Sequence, residues 1–179
     1  MNEVSAIKCK RQIAAMKSAL HGRNRLLFVI GINSGLRISD ILTLRVGQVR
    51  GQSTITLREG KTGKAKRFVF NTAIKRAVAE LVPTDAEDSD YLFRSRKGAR
   101  PISRVQAYRV INEAARRAGI SGEIGCHSLR KTFGYFAYNN GTDIALLMRI
   151  FNHSKQSLTL RYIGVEQSDI DEVYTGINL

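Results

Sequence analysis

The chain is 179 residues long and 43 % hydrophobic, the size of one domain with apolar material for a sizeable core, which excludes a globally disordered protein. Two cysteines, Cys9 and Cys126, and three histidines are too few for a disulfide framework or a zinc site. The formal charge of +14 points to a polyanionic partner, drawn in by counterion release and diffusional steering.

That charge is unevenly spread. Beyond Tyr162 there is no Lys or Arg, while Glu166, Asp169, Asp171 and Glu172 make the tail acidic, so residues 1–162 carry +18. A basic body with an acidic tail predicts a nucleic-acid-binding face and a tail that docks elsewhere. No apolar run approaches the ~18 residues of a membrane span, and residues 1–10 lack the apolar stretch of a signal peptide. A soluble, cytoplasmic protein without a membrane partner is expected. Both cysteines should behave as small apolar residues, buried or half-buried.

Ser5 is placed to cap a first helix over residues 5–20, with Ile7, Ile13, Met16 and Leu20 near helical spacing. A second, mostly buried helix is predicted over 24–32 and is stopped by Asn33-Ser34-Gly35. A third starts at Ser39 or Asp40 and carries Ile41, Leu42 and Leu44. The period then changes. Residues 53–58 alternate polar and apolar as a half-buried strand does, and 66–70 read as its partner across the turn Gly60-Lys61-Thr62-Gly63-Lys64. Asn71 or Thr72 caps a helix to about Val82, stopped by Pro83. An acidic loop follows, then a short extended piece at Tyr91-Leu92-Phe93. Ser103 caps a long helix to Ala118, ended by Gly119. Further helices are predicted over 129–138, over 143–151 with Thr142 as cap, over 156–162, and from Ser168.

Arg37 follows a glycine at a helix start, where backbone N–H groups can also face an anion. Arg130 lies three residues after His127, on the same helix face or its first turn. Two guanidiniums are forked, permanently charged donors that match the non-bridging oxygens of a phosphodiester. Those oxygens gain charge in a pentavalent transition state, so the donors stabilise it more than the ground state without a metal. Tyr162 is the candidate nucleophile, because a phenolate can attack phosphorus and form a covalent intermediate. Its ordinary pKa of ~10 calls for activation: nearby arginines favour the phenolate, and His127 can take the proton. His153 is placed to hydrogen-bond a phosphate oxygen, and Lys61, on the flexible turn, to protonate a departing 5′ oxygen. Each residue alone has a commoner use on a surface, in a cap or in a core, and five other tyrosines compete with Tyr162. The combination carries the reading. A metal-dependent nuclease is disfavoured because no carboxylate cluster has ligand spacing.

Order and spacing match a family. His127 to Phe133 (His-x-Leu-Arg-x-Thr-Phe), Gly141-Thr142-Asp143, His153-Ser154 and Tyr162 resemble the tyrosine recombinases, also called phage integrases. So do Ser34 to Asp40 (Ser-Gly-Leu-Arg-x-Ser-Asp) and Lys61-Thr62-Gly63 between two strands. The resemblance covers about residues 20–165. It implies an α+β, mainly α-helical catalytic-domain fold with a small antiparallel β-sheet. It implies that Arg37, Lys61, His127, Arg130 and His153 activate the scissile phosphate, that Tyr162 attacks it, and that Asp40 supports the architecture. The product is a 3′-phosphotyrosyl link and a free 5′-hydroxyl, which a partner strand then reverses without cofactor, metal or ATP. The expected function is a site-specific DNA recombinase acting on double-stranded DNA, self-assembled into a dimer or tetramer. A non-catalytic DNA-binding module or regulator is the alternative, and strand relaxation resembling type IB topoisomerases a third reading.

Departures from the family pattern are local. Lys131 stands where many relatives have a second histidine, and Phe151-Asn152-His153 replaces the commoner Leu-Gly-His. The domain is expected over 1–165 with no core-binding domain in this chain, and residues 166–179 as an acidic tail, a candidate for exchange between protomers. Lys64, Lys66 and Arg67 on the hairpin, and Arg94, Arg96, Lys97, Arg100 and Arg104 beyond it, are expected to contact DNA phosphates. Gln106 or Arg109 is the candidate for base readout. In the tail, Ile170, Val173, Tyr174 and Ile177 have helix-like spacing and could bury a stripe against a neighbour or fold back to restrain Tyr162.

Overall fold

The structure, a computed structural model, describes residues 4–177; the first three residues of the expected domain and the last two of the tail lie outside the described residues. Helices α1 (Lys10–Ala19), α2 (Gly22–Ser34) and α3 (Ile38–Leu42) come first, followed by the hairpin β1 (Thr54–Arg58) and β2 (Ala65–Val69). Then come α4 (Thr72–Leu81), α5 (Arg104–Arg117), α6 (Cys126–Asn139), α7 (Ile144–Phe151), α8 (Gln156–Ile163) and α9 (Gln167–Gly176). The α+β, mainly helical class with one small antiparallel sheet is as expected.

Helix α2 is the centre of the packing. Beyond its polar first turn, residues 26–32 are apolar on all sides, as a helix buried in the middle of a domain must be, and Leu26, Leu27, Phe28, Val29 and Ile30 are all buried. Its Leu26, Leu27, Val29 and Ile30 join a core with α3, β1, α4 and Phe93. Phe28 faces a second core, with Ile7, Met16, Ile111 and Leu129. A third, smaller cluster of Leu147, Phe151 and Ile163 joins α7 to α8, with Phe133 and Tyr162 packed against it.

In the hairpin, Ile55 pairs with Phe68 and Leu57 with Lys66, so one face of the ribbon turns inward. Predicted caps hold for two helices: Asn71 accepts the Ile74 N–H (2.9 Å), and Ser103 accepts the Gln106 N–H (3.1 Å). Helix α2 begins at Gly22, two residues before its expected start, and three other helix starts depart from expectation for reasons their contacts show. Residues 4–9 are not helical, because the Ser5 and Ile7 N–H groups donate to Glu123 O (3.0 Å) and Thr132 Oγ1 (2.8 Å); α1 therefore begins at Lys10. Asp143, not Thr142, caps α7 by accepting the Ala145 N–H at 2.7 Å. Helix α6 begins at Cys126 rather than Leu129, which puts His127 in its first turn.

Candidate active site

Arg130 is the hub. Only 4 % exposed, it donates from Nη1 to Gly35 O and from Nη2 to Phe151 O (3.0 Å), with its guanidinium 4.7 Å from the centre of the Phe151 ring. It thus ties the end of α2 to the end of α7 from a position on α6. The Gly35 contact depends on glycine: its φ is +59°, and a Cβ there would lie 2.6 Å from the Phe133 ring. Arg37 follows two residues later as the cap of α3.

Tyr162, on α8, reaches this hub from the other side. Arg130 hydrogen-bonds its hydroxyl, and its ring packs on Phe151 (5.4 Å between centres) and edge-on to His153 (5.1 Å). Lys131, itself buried, sits with its ammonium 5.6 Å from the Tyr162 ring centre. The arginines do not bring the tyrosine to its ionised form here. Burial pushes its pKa up, and this outweighs the opposing pull of Arg130 and Arg37. The expectation that neighbouring guanidiniums favour the phenolate holds in sign for the arginines but not for the net shift.

His153 follows Asn152, which ends α7 in the left-handed region at φ 55°. The His153 N–H donates to Met148 O (2.9 Å), and its Nδ1 lies 3.0 Å from Thr159 Oγ1, leaving Nε2 without a hydrogen bond to this partner. His127, in the first turn of α6, is exposed as a residue, while its imidazole is partly desolvated beside Arg130. Both imidazoles have lowered pKa values, from burial first and then from Arg130; Lys131, Arg37 and Lys61 add to the effect on His127, and Arg37 on His153.

The hairpin supplies the fourth side. Lys61 is exposed on its turn, which is closed by Gly63 N–H to Glu59 O (2.8 Å) and Glu59 N–H to Lys64 O (3.0 Å). Asp40, 4 % exposed, accepts the Gly60 N–H at 3.0 Å, so it fixes the residue before Lys61. Arg37 Nη1 lies 3.0 Å from Glu59 Oε1, a carboxylate 1 % exposed. Arg37, His127, Arg130, His153, Tyr162 and the Lys61 turn therefore gather around one place.

Two further residues of that place escape the motif pattern. Glu59 belongs to no motif, although it continues the inward phase of Ile55 and Leu57, where an acid is a signal in itself. Lys66 was expected on the DNA-facing surface, but it shares the inward phase with Phe68. Its ammonium, 16 % exposed, donates to Ile150 O (2.8 Å) and stands 3.8 Å from Glu59 Oε1. Burial first, then Arg130, lowers its pKa to about 8. Lys64, Arg67, Arg94, Arg96, Lys97, Arg100 and Arg104 are exposed; of these Arg94 is paired with Asp90 at 3.2 Å. Gln106 and Arg109 are exposed on α5. Cys9 is exposed, against expectation, because it caps α1 at the surface, while Cys126 is half-buried and burial lifts its thiol to about 11. Among the described residues no three His, Cys, Asp or Glu side chains are grouped to hold a metal ion, and no helix is long and apolar enough to cross a membrane.

Comparison with known proteins bears on this geometry. The phage integrase family matches residues 5–168. A probable integrase/recombinase, YoeC of Bacillus subtilis (strain 168), is 42 % identical over 177 residues, 97 % of each chain. The chain spans only about half the length of several other curated tyrosine recombinases that it matches. In fold, it is similar to the crystal structure of XerA recombinase with a TM-score of 0.80 at 24 % identity, over 98 % of this chain and 65 % of that one. It is also similar to XerH recombinase bound to a palindromic difH substrate, with a TM-score of 0.70 at 20 % identity, over 97 % of this chain and 53 % of that one. With a match that runs through nearly its whole length and a fold shared with solved recombinases, the chain belongs to the phage integrase family, that of the tyrosine recombinases.

Proposed function

We propose that the chain cleaves and rejoins DNA strands through Tyr162, with Arg37, Lys61, His127, Arg130 and His153 gathered on the scissile phosphate. The observation that carries this reading is Arg130: it is locked by two backbone carbonyls, and it also reaches the Tyr162 hydroxyl. An arginine held so firmly is a preorganised donor for charge that develops on phosphorus-bound oxygens. Arg37 supplies the second fork.

The step is an in-line displacement. Tyr162 Oη attacks phosphorus as His127 takes its proton, and the bond to the 5′ oxygen breaks while Lys61 protonates that oxygen. A 3′-phosphotyrosyl link and a 5′-hydroxyl result, and attack by a 5′-hydroxyl reverses the step. Energy is kept in the covalent link, so neither ATP nor a metal is called for. His153 donates to a phosphate oxygen from Nε2 when Thr159 donates to Nδ1. A phosphate entering beside Tyr162 also changes the balance at its hydroxyl. It orients the arginines, and His127 becomes the acceptor for a proton that burial otherwise retains. DNA as partner is supported by the +14 charge and by the DNA-bound state of a fold neighbour. Assembly into a dimer or tetramer on DNA, with the acidic tail shared between protomers, belongs to the same proposal.

The test uses supercoiled plasmid carrying the DNA that flanks the chain's own gene, quenched with SDS in the presence of chelator. A covalent protein–DNA adduct that resists chelator and disappears in Tyr162→Phe is the expected result. Salt-sensitive binding with no adduct would instead assign the chain to the alternative, a DNA-binding module without cleavage.

A further inference from the structure

Around the Glu59 carboxylate, four groups from four parts of the chain converge. Oε1 faces Arg37 Nη1 (3.0 Å) and Lys66 Nζ (3.8 Å); Oε2 accepts from Thr62 Oγ1 (2.7 Å) and from Asn152 Nδ2 (2.8 Å). The Glu59 carbonyl closes the Lys61 turn through Gly63. Lys66 adds a second link in the same direction, by donating to Ile150 O at the end of α7. A carboxylate buried to 1 % exposure persists as an anion only with partners of this kind. Burial alone would raise its pKa, but the Thr62 hydrogen bond and the Arg37 and Lys66 charges outweigh it and hold the group below the ordinary carboxylate range.

The asparagine before His153 meets two requirements at once. A glycine would satisfy the left-handed backbone at φ 55° as well, but it has no amide to present. Asn152 adopts that backbone and sends its side chain 93 residues back along the chain, onto Glu59.

We infer that Glu59 is a positioning residue that clamps Arg37 and the Lys61 turn to the His153 turn, with Asn152 and Lys66 as its far-side contacts. The inference rests on the cleavage reading for its consequence, since the three groups it joins are those assigned to the phosphate. Its electrostatic effect has a distinctive sign. Replacing the carboxylate by an amide leaves Arg37, Lys66 and Arg130 facing one another, with Asp40 as the anion still beside Lys66. Such a site is more positive, so it attracts a DNA phosphate at least as well, but its cations move apart and miss the transition state. Binding and cleavage then part company, which a plain loss of stability would not cause.

The experiment compares wild type, Glu59→Gln, Asn152→Gly and the double variant, with folding checked by circular dichroism. Single-turnover adduct formation is followed at saturating protein on the flanking-gene DNA, alongside binding of the same DNA at fixed salt. Misplacement of an oriented group costs on the order of 100-fold, so Glu59→Gln should form adduct ~10–100-fold more slowly with affinity equal or tighter. Asn152→Gly should slow it less, and the double variant should be no slower than Glu59→Gln, because both act through one contact. Multiplying effects, or affinity that falls in step with rate, would overturn the inference. Amide hydrogen exchange at Gly63 and His153 reads the clamp without cleavage. Asn152→Gly should speed exchange at Gly63, and Glu59→Gln at His153. If wild type forms no adduct, the cleavage reading has failed and exchange alone decides: an unchanged rate at the far turn in either variant rejects the clamp.

Discussion

Single residues here are governed by a contest between burial and charge, and the outcome differs from group to group. For Tyr162 burial wins over two arginines, so its hydroxyl stays protonated; for Glu59 the Thr62 hydrogen bond and the neighbouring cations together win over burial. His127 and His153 have no such contest, because burial and positive neighbours both act against the imidazolium. A depressed folded-state pKa means that the unfolded chain binds the proton more tightly. The contribution of the two histidines to stability is thus present above the unfolded value of ~6.5 and is lost as pH falls through the lower folded values. Denaturant melts between pH 8 and 5 should show stability decreasing toward acid, and His153→Gln should flatten part of that slope. An identical slope in the variant would mean that His153 does not titrate as its surroundings dictate. A phosphodiester beside the rings acts in the opposite direction, so both imidazole resonances should titrate at higher pH when a short DNA duplex is added.

At the scale of elements, close approach between helices sets the site. A Cβ on Gly134 would lie 2.5 Å from Ile163 Cγ2 and 2.7 Å from Phe151 Cζ, so α6 touches α8 and the end of α7 through a bare backbone. Helix propensity favours alanine over glycine by ~1 kcal/mol, whereas forcing a methyl into a packed contact costs about 1–3 kcal/mol. With neighbours this close, Gly134→Ala is expected to be net destabilising in urea melts. It should also slow adduct formation, because Ile163 adjoins Tyr162 and any shift of α8 draws the hydroxyl away from Arg130. A variant as stable and as fast as wild type would remove Gly134 from this role. The same scale explains what was legible in the sequence. Asn71 and Ser103 announced their helices because capping is local chemistry, written within three residues. Ser5 failed as a cap because its backbone is engaged by Glu123, 118 residues away, and no local pattern contains that. Glu59 and Lys66 were legible in principle from the two-residue period of their strands, but their residue types suggested a surface. The gathering of Arg37, His127, Arg130, His153 and Tyr162 was anticipated from ordered motifs; the burial that raises the pKa of Tyr162 was not, since it arises from Phe151 and its neighbours only once α7 and α8 have packed.

At the scale of the whole molecule, charge and the tail remain. The exposed cations Arg96, Lys97 and Arg100 form a loop patch, and Lys61, Lys64 and Arg67 another on the hairpin. Removing one cation that neutralises a DNA phosphate reduces the salt slope of binding by about 1. Reversing Arg96 and Lys97 to Glu should therefore weaken DNA binding and lower that slope by about 2, and no change in either would take the patch off the interface. The tail poses a different question, because α9 is held at its start and bare along its side. Lys8 faces Glu166 at 3.5 Å and Asp169 at 3.8 Å, while Ile170, Val173, Tyr174 and Ile177 are exposed. Solvent-exposed ion pairs of this kind contribute ~0–1 kcal/mol and weaken with salt. Val165 belongs to the body instead, since its N–H donates to Leu160 O and its side chain packs on the Leu147–Phe151–Ile163 cluster. A chain ending at Val165 should consequently unfold within ~1 kcal/mol of the full one, leaving function as the sensitive readout. If the stripe pairs with a neighbouring protomer, truncation should reduce the size of the protein–DNA complex in sedimentation and slow cleavage only where complexes form. If it restrains Tyr162 in cis, truncation should speed adduct formation at all protein concentrations and leave complex size alone. Unchanged size together with unchanged rate would deny the tail both roles, since an apolar stripe that contributes little to stability has only these two ways to act on the site.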